Sequence, residues 1–287
     1  MIVRSGDRVL VHGLTGKQGT FWAGLMRDYG THIVGGVHPT KAGTVHAGWP
    51  VYASAVEAAA DGGVDVSVLF VPPAGAKAAV IDAVDAGARL VVVLTEFIPV
   101  HDTMELVAHA RANGSRVMGP NTAGVVTPGE AFVGFMPAFD ERIFTPGSVG
   151  VVSRSGSLGT LACLELTRSG RGQSAFLGVG GDPVSGTSTA EAVRALADDD
   201  ATDAIVVIGE IGGSKEEEAA QVVASIEKPV VSFIAGRSSP PGKKMGHAGA
   251  IVDGDTGTYE SKRRALEDAG ATVVDVPGDI ASALPAS

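Results

Sequence analysis

The chain has 287 residues, one cysteine and a formal net charge of −10. The single cysteine, Cys163, excludes a disulfide framework and any zinc or iron–sulfur site built from several cysteines. The negative charge opposes non-specific binding to nucleic acid or an anionic membrane surface. The N-terminus lacks the apolar run of a signal peptide, and no apolar run approaches the roughly 20 residues that cross a bilayer. We therefore expect a cytoplasmic protein with neither a nucleic-acid partner nor a membrane span.

The first part of the chain alternates short β-branched runs with Ala-rich segments of helical length. Apolar runs without polar alternation are typical of strands covered on both faces. The predicted strands are "RVLVHG", "HIVGGV", "VSVLFV", "LVVVL" and "RVMG", and the predicted helices are Gln18–Tyr29, Ala55–Asp61, Ala74–Ala86 and Val100–Asn113. This alternation predicts a parallel, doubly wound α/β domain over residues 1–125.

A second α/β domain is predicted over residues 148–287. Residues 120–147 contain four prolines and no clear helical period, so the domain junction falls there, with a linker over 126–147. The strands predicted after it are "SVGVVS", "SAFLGV", "AIVVIG", "PVVSFI" and "ATVVDV", and the helices are Leu158–Ser169, Ser188–Ala197, Lys215–Ile226 and Thr258–Ala269. The fold class is therefore α/β, with two doubly wound domains of similar size.

The first predicted strand runs into a glycine-rich turn that is typical of a phosphate site. Gly13, Gly16 and Gly19 are spaced by three residues, which lets backbone N–H groups approach a phosphate. A tight turn without a ligand has the same pattern. After the next strand, where an NAD site usually has an acidic residue, the chain offers His38 and Lys41. This favours a phosphorylated ribose, as in NADP or coenzyme A, and a solvated loop lysine is the alternative interpretation of Lys41.

The second domain begins with another candidate anion site. Ser153, Ser155 and Gly156 follow a strand and precede a helix, so hydroxyl and free N–H groups lie at a positive helix end. N-capping by Ser155 or Ser157 explains the same pattern without a ligand. A nucleophile elbow is disfavoured because the G-x-S-x-G motif is absent.

A glutamate and a histidine complete the candidate site. Glu210 ends an apolar strand, at the sheet edge where ligands bind, and His247 lies in a glycine-rich loop, 237–257, after the next strand. A carboxylate can accept a hydrogen bond from an imidazole and leave the other ring nitrogen free as a nucleophile. The alternatives are a loop histidine without a role and a glutamate that pairs with the following helix. The run Glu216–Glu218 is predicted as a solvated first helical turn.

Seven motifs in chain order resemble the α subunit of succinyl-CoA synthetase and its relatives. They are "TGKQGT", "GGVHPTKAG", "GPNTAGVVTPGE", "GVVSRSGSLG", "GVGGDPVSGT", "IGEIGGSKEEEAA" and "GKKMGHAGAI". The resemblance implies an N-terminal Rossmann-like CoA-binding domain, a flavodoxin-like ligase domain and the activity of an NDP-forming acyl-CoA synthetase. It also implies a separate ATP-grasp β subunit that binds ATP or GTP with Mg²⁺, in an αβ or (αβ)₂ complex.

The same resemblance assigns roles to individual residues. It implies that His247 is phosphorylated during turnover, that Glu210 orients it, and that Ser153, Ser155 and Gly156 hold the phosphoryl group. The implied CoA site consists of Thr15, Gly16, Lys17, Gln18, Lys41, Leu94, Thr95 and Glu96. No metal site is implied on this chain.

Three positions depart from the pattern of the succinate enzymes. Thr160 stands where those enzymes have Tyr, Thr122 and Ala123 replace the Cys-Pro of "GPNCPG", and Trp22 replaces His. Threonine in place of an aromatic residue predicts a roomier or more polar acyl pocket. Malate-type or other substituted carboxylates are therefore candidates beside succinate, with Thr160, Asn121 and Thr122 as expected contacts. Neutral change within a succinate enzyme is the alternative.

Two other classes of protein stay open at this point. A non-catalytic CoA-binding regulatory module leaves Glu210 and His247 without a role. An NADP-dependent oxidoreductase fits the first glycine turn, but it leaves the second anion site and the histidine loop unexplained.

Overall fold

The computed structural model describes residues 1–239, 247, 249–250, 252 and 257–285. Within these residues the chain forms two seven-stranded sheets, one in each half of the sequence. None of the helices in these ranges has both the length and the apolar character that a membrane span needs. Most of the predicted loop 237–257 lies outside the described residues.

The first sheet has the strand order of a dinucleotide-binding fold. Its strands are β1 (Val9–His12), β2 (Ile33–Val37), β3 (Val45–His46), β4 (Trp49–Tyr52), β5 (Val66–Leu69), β6 (Leu90–Val93) and β7 (Arg116–Met118), with helices α1 (Lys17–Tyr29), α2 (Ala55–Ala60), α3 (Pro73–Asp85) and α4 (Val100–Ala112). The order across the sheet is β3-β4-β2-β1-β5-β6-β7, and every pair but β3-β4 is parallel. Numbered along the chain, the six parallel strands follow the order 3-2-1-4-5-6. The sequence did not predict β3 and β4 because Pro50 interrupts a short run.

The second sheet has a flavodoxin-like centre. Its strands are β8 (Gly124–Thr127), β9 (Ala131–Gly134), β10 (Pro146–Ser153), β11 (Gln173–Gly178), β12 (Ala204–Glu210), β13 (Val230–Ala235) and β14 (Thr272–Val274), with helices α5 (Gly156–Arg168), α6 (Thr189–Ala197), α7 (Lys215–Val223), α8 (Tyr259–Asp268) and α9 (Ile280–Ala283). The five strands from β10 to β14 are parallel and follow the order 2-1-3-4-5. The expected fold class, a Rossmann-like domain followed by a second doubly wound α/β domain, is confirmed.

The prediction of a linker over 126–147 is wrong for much of that segment. Strands β8 and β9 form an antiparallel hairpin that extends the second sheet, with Val126 opposite Phe176 on β11. The hairpin also contacts the first domain, because Thr31 Oγ1 donates a hydrogen bond to the carbonyl of Phe132 over 2.8 Å. Phe132 packs edge to face against Tyr29, with the ring centroids 5.4 Å apart. The prolines therefore flank short strands, and the hairpin joins the two domains.

The hydrophobic core is continuous between the two domains. One cluster of buried side chains includes Met26 and Val68 of the first domain together with Phe132 and Phe176 of the second. A second cluster is confined to the first domain. Because Val92 of β6 and Val152 of β10 belong to this same cluster, the two sheets share one core.

Candidate functional site

His247 contacts the carboxylate of Glu210. Nδ1 of His247 lies 2.8 Å from Oε2 and 2.9 Å from Oε1 of Glu210, the last residue of β12. The hydrogen bond to this carboxylate raises the pKa of His247, and burial opposes the rise. Since Nδ1 donates to the carboxylate, Nε2 is the ring nitrogen with a free lone pair in the neutral imidazole. The structure thus brings together the two residues that the sequence selected as a pair.

Arg154 was missed by the sequence reasoning, although it lies between two serines that were selected. Its side chain is 1% exposed, and its Nη2 lies 3.1 Å from Oε1 of Glu210. Nη1 donates to the carbonyls of Glu210 and Gly212 over 3.3 and 3.2 Å. The guanidinium therefore fixes the carboxylate that contacts His247. An arginine in a turn of small residues after a buried strand was the signal available in the sequence.

The prediction that the run Glu216–Glu218 is solvated is wrong for Glu216. Its side chain is fully buried and accepts hydrogen bonds from Arg154 Nη1 over 3.2 Å and from Lys262. Burial alone raises the pKa of Glu216, but the cations of Arg154 and Lys262 outweigh it, and the net pKa is lowered. Glu217 is half-buried beside Lys262, and only Glu218 is exposed.

Helical periodicity explains this burial. Glu216 shares one face of α7 with Ala219, Ala220 and Val223, which are all buried. A carboxylate on the inward face needs cations, and Arg154 and Lys262 supply them from neighbouring elements. The result is a buried chain of alternating charges that ends at the carboxylate beside His247.

The turn between β10 and α5 presents a helix N-terminus to this site. Ser155 is the N-cap of α5, its Oγ accepts from the N–H of Leu158 over 3.4 Å, and the first turn carries no acidic residue. The hydroxyl of Ser153 is buried and donates to the carbonyl of Ser155 over 2.6 Å. Gly156 packs closely, since a Cβ atom there would lie 2.7 Å from Cβ of Ala123. The turn therefore offers backbone N–H groups, whereas Ser153 mainly holds its shape.

A second turn, after β11, lies against the other side of His247. A Cβ atom on Gly181 would lie 2.3 Å from Cγ of His247, so only glycine allows this approach. Asn121 holds the turn: its Nδ2 donates to Asp182 Oδ1 over 3.0 Å, and its carbonyl accepts from the N–H of Gly181 over 3.3 Å. Its own N–H donates to the carbonyl of Thr95 over 3.0 Å. Asn121 therefore connects the end of β6 to the histidine.

The other two expected substrate residues have engaged hydroxyl groups. Thr122 is buried, donates to the carbonyl of Gly178 and accepts from the N–H of Gly124 over 3.0 Å. The expectation that Thr122 contacts the acyl group therefore does not fit this structure. Thr160 is partly exposed on α5 and donates to the carbonyl of Gly156 over 2.8 Å.

Most of the expected CoA residues line two cavities of the first domain. The first, of about 650 Å³, is lined by Thr15, Gly16 and Lys41 among others. The second, of about 640 Å³, is lined by Gln18, Leu94, Thr95 and Glu96, and by Phe135 of the second domain. Both cavities share Phe70 and Val71, so they adjoin each other. Lys17 lines neither of them.

His12 is a buried polar group in the first cavity that the sequence reasoning did not select. It is 2% exposed at the end of β1, and its Nε2 has no hydrogen-bond partner among the described residues. Burial lowers the pKa of His12 to about 4, so the ring is neutral at pH 7. At the rim, Lys41 Nζ donates to Thr15 Oγ1 over 3.2 Å. The cavity thus combines a cation at its entrance with an unsatisfied buried imidazole.

Comparisons with known proteins find a different family in each half of the chain. Residues 5–97 match the family described as CoA binding domain, and residues 152–272 match the family described as CoA-ligase. The α subunit 1 of an ADP-forming succinate–CoA ligase from Archaeoglobus fulgidus is 48% identical over 98% of this chain and 95% of its own. The ADP-forming sulfoacetate-CoA ligase subunit SauD from Bilophila wadsworthia is 42% identical over 100% of this chain and 98% of its own.

Among solved structures, ATP citrate lyase from Methanosaeta concilii, in complex with (3S)-citryl-CoA, superimposes with a TM-score of 0.89 at 26% identity. The superposition covers 99% of this chain and 50% of the lyase chain. One family match lies in each half of the chain, and the 48% identity extends over nearly the full length of both chains. The chain belongs to the family of succinate–CoA ligase α subunits.

Proposed function

We propose that this chain is the α subunit of an NDP-forming acyl-CoA ligase that works through a phosphorylated His247. The contact between His247 Nδ1 and the Glu210 carboxylate, 2.8 Å long, carries the proposal. It leaves Nε2 as the nucleophile and stabilises the positive charge that the ring acquires when Nε2 bonds to phosphorus. Arg154 keeps the carboxylate in place.

The reaction we propose has three reversible transfers. A nucleoside triphosphate, ATP or GTP held with Mg²⁺ on an ATP-grasp β subunit, supplies the phosphoryl group. Nε2 of His247 bonds to the γ-phosphorus and the nucleoside diphosphate leaves. The phosphoryl group then passes from Nε2 to the carboxylate substrate, which becomes an acyl phosphate. The thiol of CoA then attacks the acyl carbon, and inorganic phosphate leaves. The N-terminal N–H groups of α5, together with Ser155, offer an anion site for the phosphoryl group.

The first domain fits CoA as the thiol substrate. The unsatisfied Nε2 of His12 points to a polar ligand in the first cavity, and Lys41 at the rim suits a phosphate. The second cavity, with Gln18 and Thr95, adjoins the first, and the carbonyl of Thr95 accepts a hydrogen bond from the N–H of Asn121. We propose that the nucleotide part of CoA occupies the first cavity and its thiol arm the second.

The acyl substrate we propose is a small carboxylate. One relative is named for succinate and another for sulfoacetate. Membership of the family is therefore compatible with carboxylate substrates that differ in their second anionic group. Asn121 and Thr160 stay candidate contacts for this substrate. An αβ or (αβ)₂ complex and a cytoplasmic location belong to the same proposal.

The test is to reconstitute the chain with its β subunit and to incubate the complex with γ-³²P-labelled ATP or GTP. We expect an acid-labile, base-stable label on the wild-type chain and none on His247→Asn. His109→Asn is the matched control, because His109 also contacts a carboxylate, Asp85, over 2.7 Å, but on the exposed surface of the first domain. Undiminished label on His247→Asn would refute the proposal.

The CoA site has a separate test. A ligand present at about a hundred times its Kd stabilises the protein by roughly 2.7 kcal/mol. We expect CoA to raise the melting temperature and NADP⁺ to leave it unchanged. A shift with NADP⁺ alone would favour the oxidoreductase alternative.

A further inference from the structure

Lys215, the first residue of α7, is a cation that the proposed chemistry has not used. Its Nζ donates to the backbone carbonyl of Asp182 over 2.7 Å. An ammonium group has three donors, and this carbonyl is the one partner that the described residues provide. A half-buried lysine whose one partner among the described residues is a neutral oxygen has capacity for an anion.

The position of Lys215 relates it to His247. Asp182 directly follows Gly181, whose Cα lies against the ring of His247. Consecutive Cα atoms are about 3.8 Å apart, so the ammonium and the imidazole approach two successive residues of one turn. On the same turn, the carbonyl of Gly181 accepts from the N–H of Gly249 over 3.2 Å. Lys215 and the histidine therefore lie at the same end of the sheet and share one support.

The charged groups that face Lys215 come from four elements. Burial is the main cause that lowers the pKa of Lys215 to about 8, and Arg154 of the β10–α5 turn lowers it further. Glu216 of α7, Glu210 of β12 and Asp182 of the turn after β11 act in the opposite direction. None of these three carboxylates accepts a hydrogen bond from Nζ in the described structure.

Those carboxylates are already engaged by other groups. Glu210 contacts His247 and Arg154, and Glu216 contacts Arg154 and Lys262. Asp182 Oδ1 accepts from the side chain of Asn121. The charge on Lys215 is thus left without a hydrogen-bonded counterion among the described residues.

We propose that the ammonium of Lys215 binds the phosphoryl group carried by His247. This inference rests on the proposed phosphorylation of His247. A phosphoryl group brings about two negative charges and strong acceptor oxygens. Nη1 and Nη2 of Arg154 are held by carboxylates and carbonyls. Nζ of Lys215 has two donors without a partner among the described residues, and its flexible stem lets it leave the Asp182 carbonyl.

The experiment uses the complete complex with its β subunit and measures the equilibrium fraction of phosphohistidine at a fixed ratio of ATP to ADP. At pH 7 we expect Lys215→Met to lower the ratio of phosphorylated to unphosphorylated chain about tenfold, as for loss of one charge-assisted hydrogen bond. Lys215→Arg retains a cation and is expected to stay close to the wild type. Lys228→Met is the matched control: Lys228 also donates to a carbonyl, that of Asp199, over 2.7 Å, but it lies just before β13, at the amino ends of the strands.

The pH profile separates a charge role from a structural one. As the pH rises through about 8, the ammonium of Lys215 loses its proton, so the wild-type fraction should fall relative to that of Lys215→Arg. A Lys215→Met complex labelled like the wild type at pH 7 would overturn the inference. Equal loss in the Met and Arg variants, without a pH-dependent difference, would also overturn it. Absence of label on the wild type would instead refute the phosphohistidine itself, and the inference with it.

Discussion

Replacement of Glu216 by Gln tests the buried charge network directly. The side chains of Glu216 and Lys262 are fully buried, and that of Arg154 is 1% exposed. A neutral amide leaves both cations with one counterion fewer in a site without water access, which costs about 3–5 kcal/mol. Since domains are stable by only about 5–15 kcal/mol, the loss is a large fraction of the total. At about 2–4 °C per kcal/mol for a chain of this size, the melting temperature should fall by about 10 °C.

The assay is urea and thermal unfolding of the isolated variant at pH 7, followed by circular dichroism. Glu217→Gln is the matched control: its carboxylate also contacts Lys262, over 2.9 Å, but it is partly exposed and should cost about 1 kcal/mol or less. The double variant Glu216→Gln with Lys262→Met removes one charge of each sign and should recover part of the loss. A loss below about 1 kcal/mol for Glu216→Gln alone would refute the reasoning that this carboxylate holds two buried cations.

Two further predictions concern buried titratable groups. His12 is neutral in the folded chain because burial lowers its pKa to about 4, whereas His12 of the unfolded chain binds a proton near pH 6.5. The free energy of unfolding therefore has its full value above about pH 6.5. It falls by up to about 3 kcal/mol as the pH falls toward 4. Between pH 7 and pH 4.5 the urea midpoint should fall less steeply for His12→Gln than for the wild type. Equal dependence of the two midpoints on pH would contradict a neutral, buried His12. Cys163 is buried, and burial raises the pKa of its thiol. A disulfide reagent should therefore label Cys163 only when urea unfolds the chain. Rapid labelling of the native chain would contradict this burial.

Local patterns were sufficient to predict most elements of both sheets. Unalternating apolar runs of four to six residues correspond to β1, β5, β6, β10 and β12, because a parallel strand covered on both faces needs apolar side chains throughout. The same reasoning placed Glu210 at the end of a strand. It failed for the β8–β9 hairpin, because its strands lie between prolines and glycines that are typical of turns and loops, so tertiary pairing with β11 determines their state.

The sequence by itself determined the fold class, the family and the identity of the pair His247 and Glu210, because motif spacing and hydrophobic runs are local properties. Only the tertiary structure decided which charges are buried. Glu216 belongs to an acidic run that looks solvated, and Arg154 sits among serines, yet packing of α7 and α8 against the sheet brings both together beside the histidine. Such partners come from segments far apart in the chain, so their contacts and their shifted pKa values follow from three-dimensional packing.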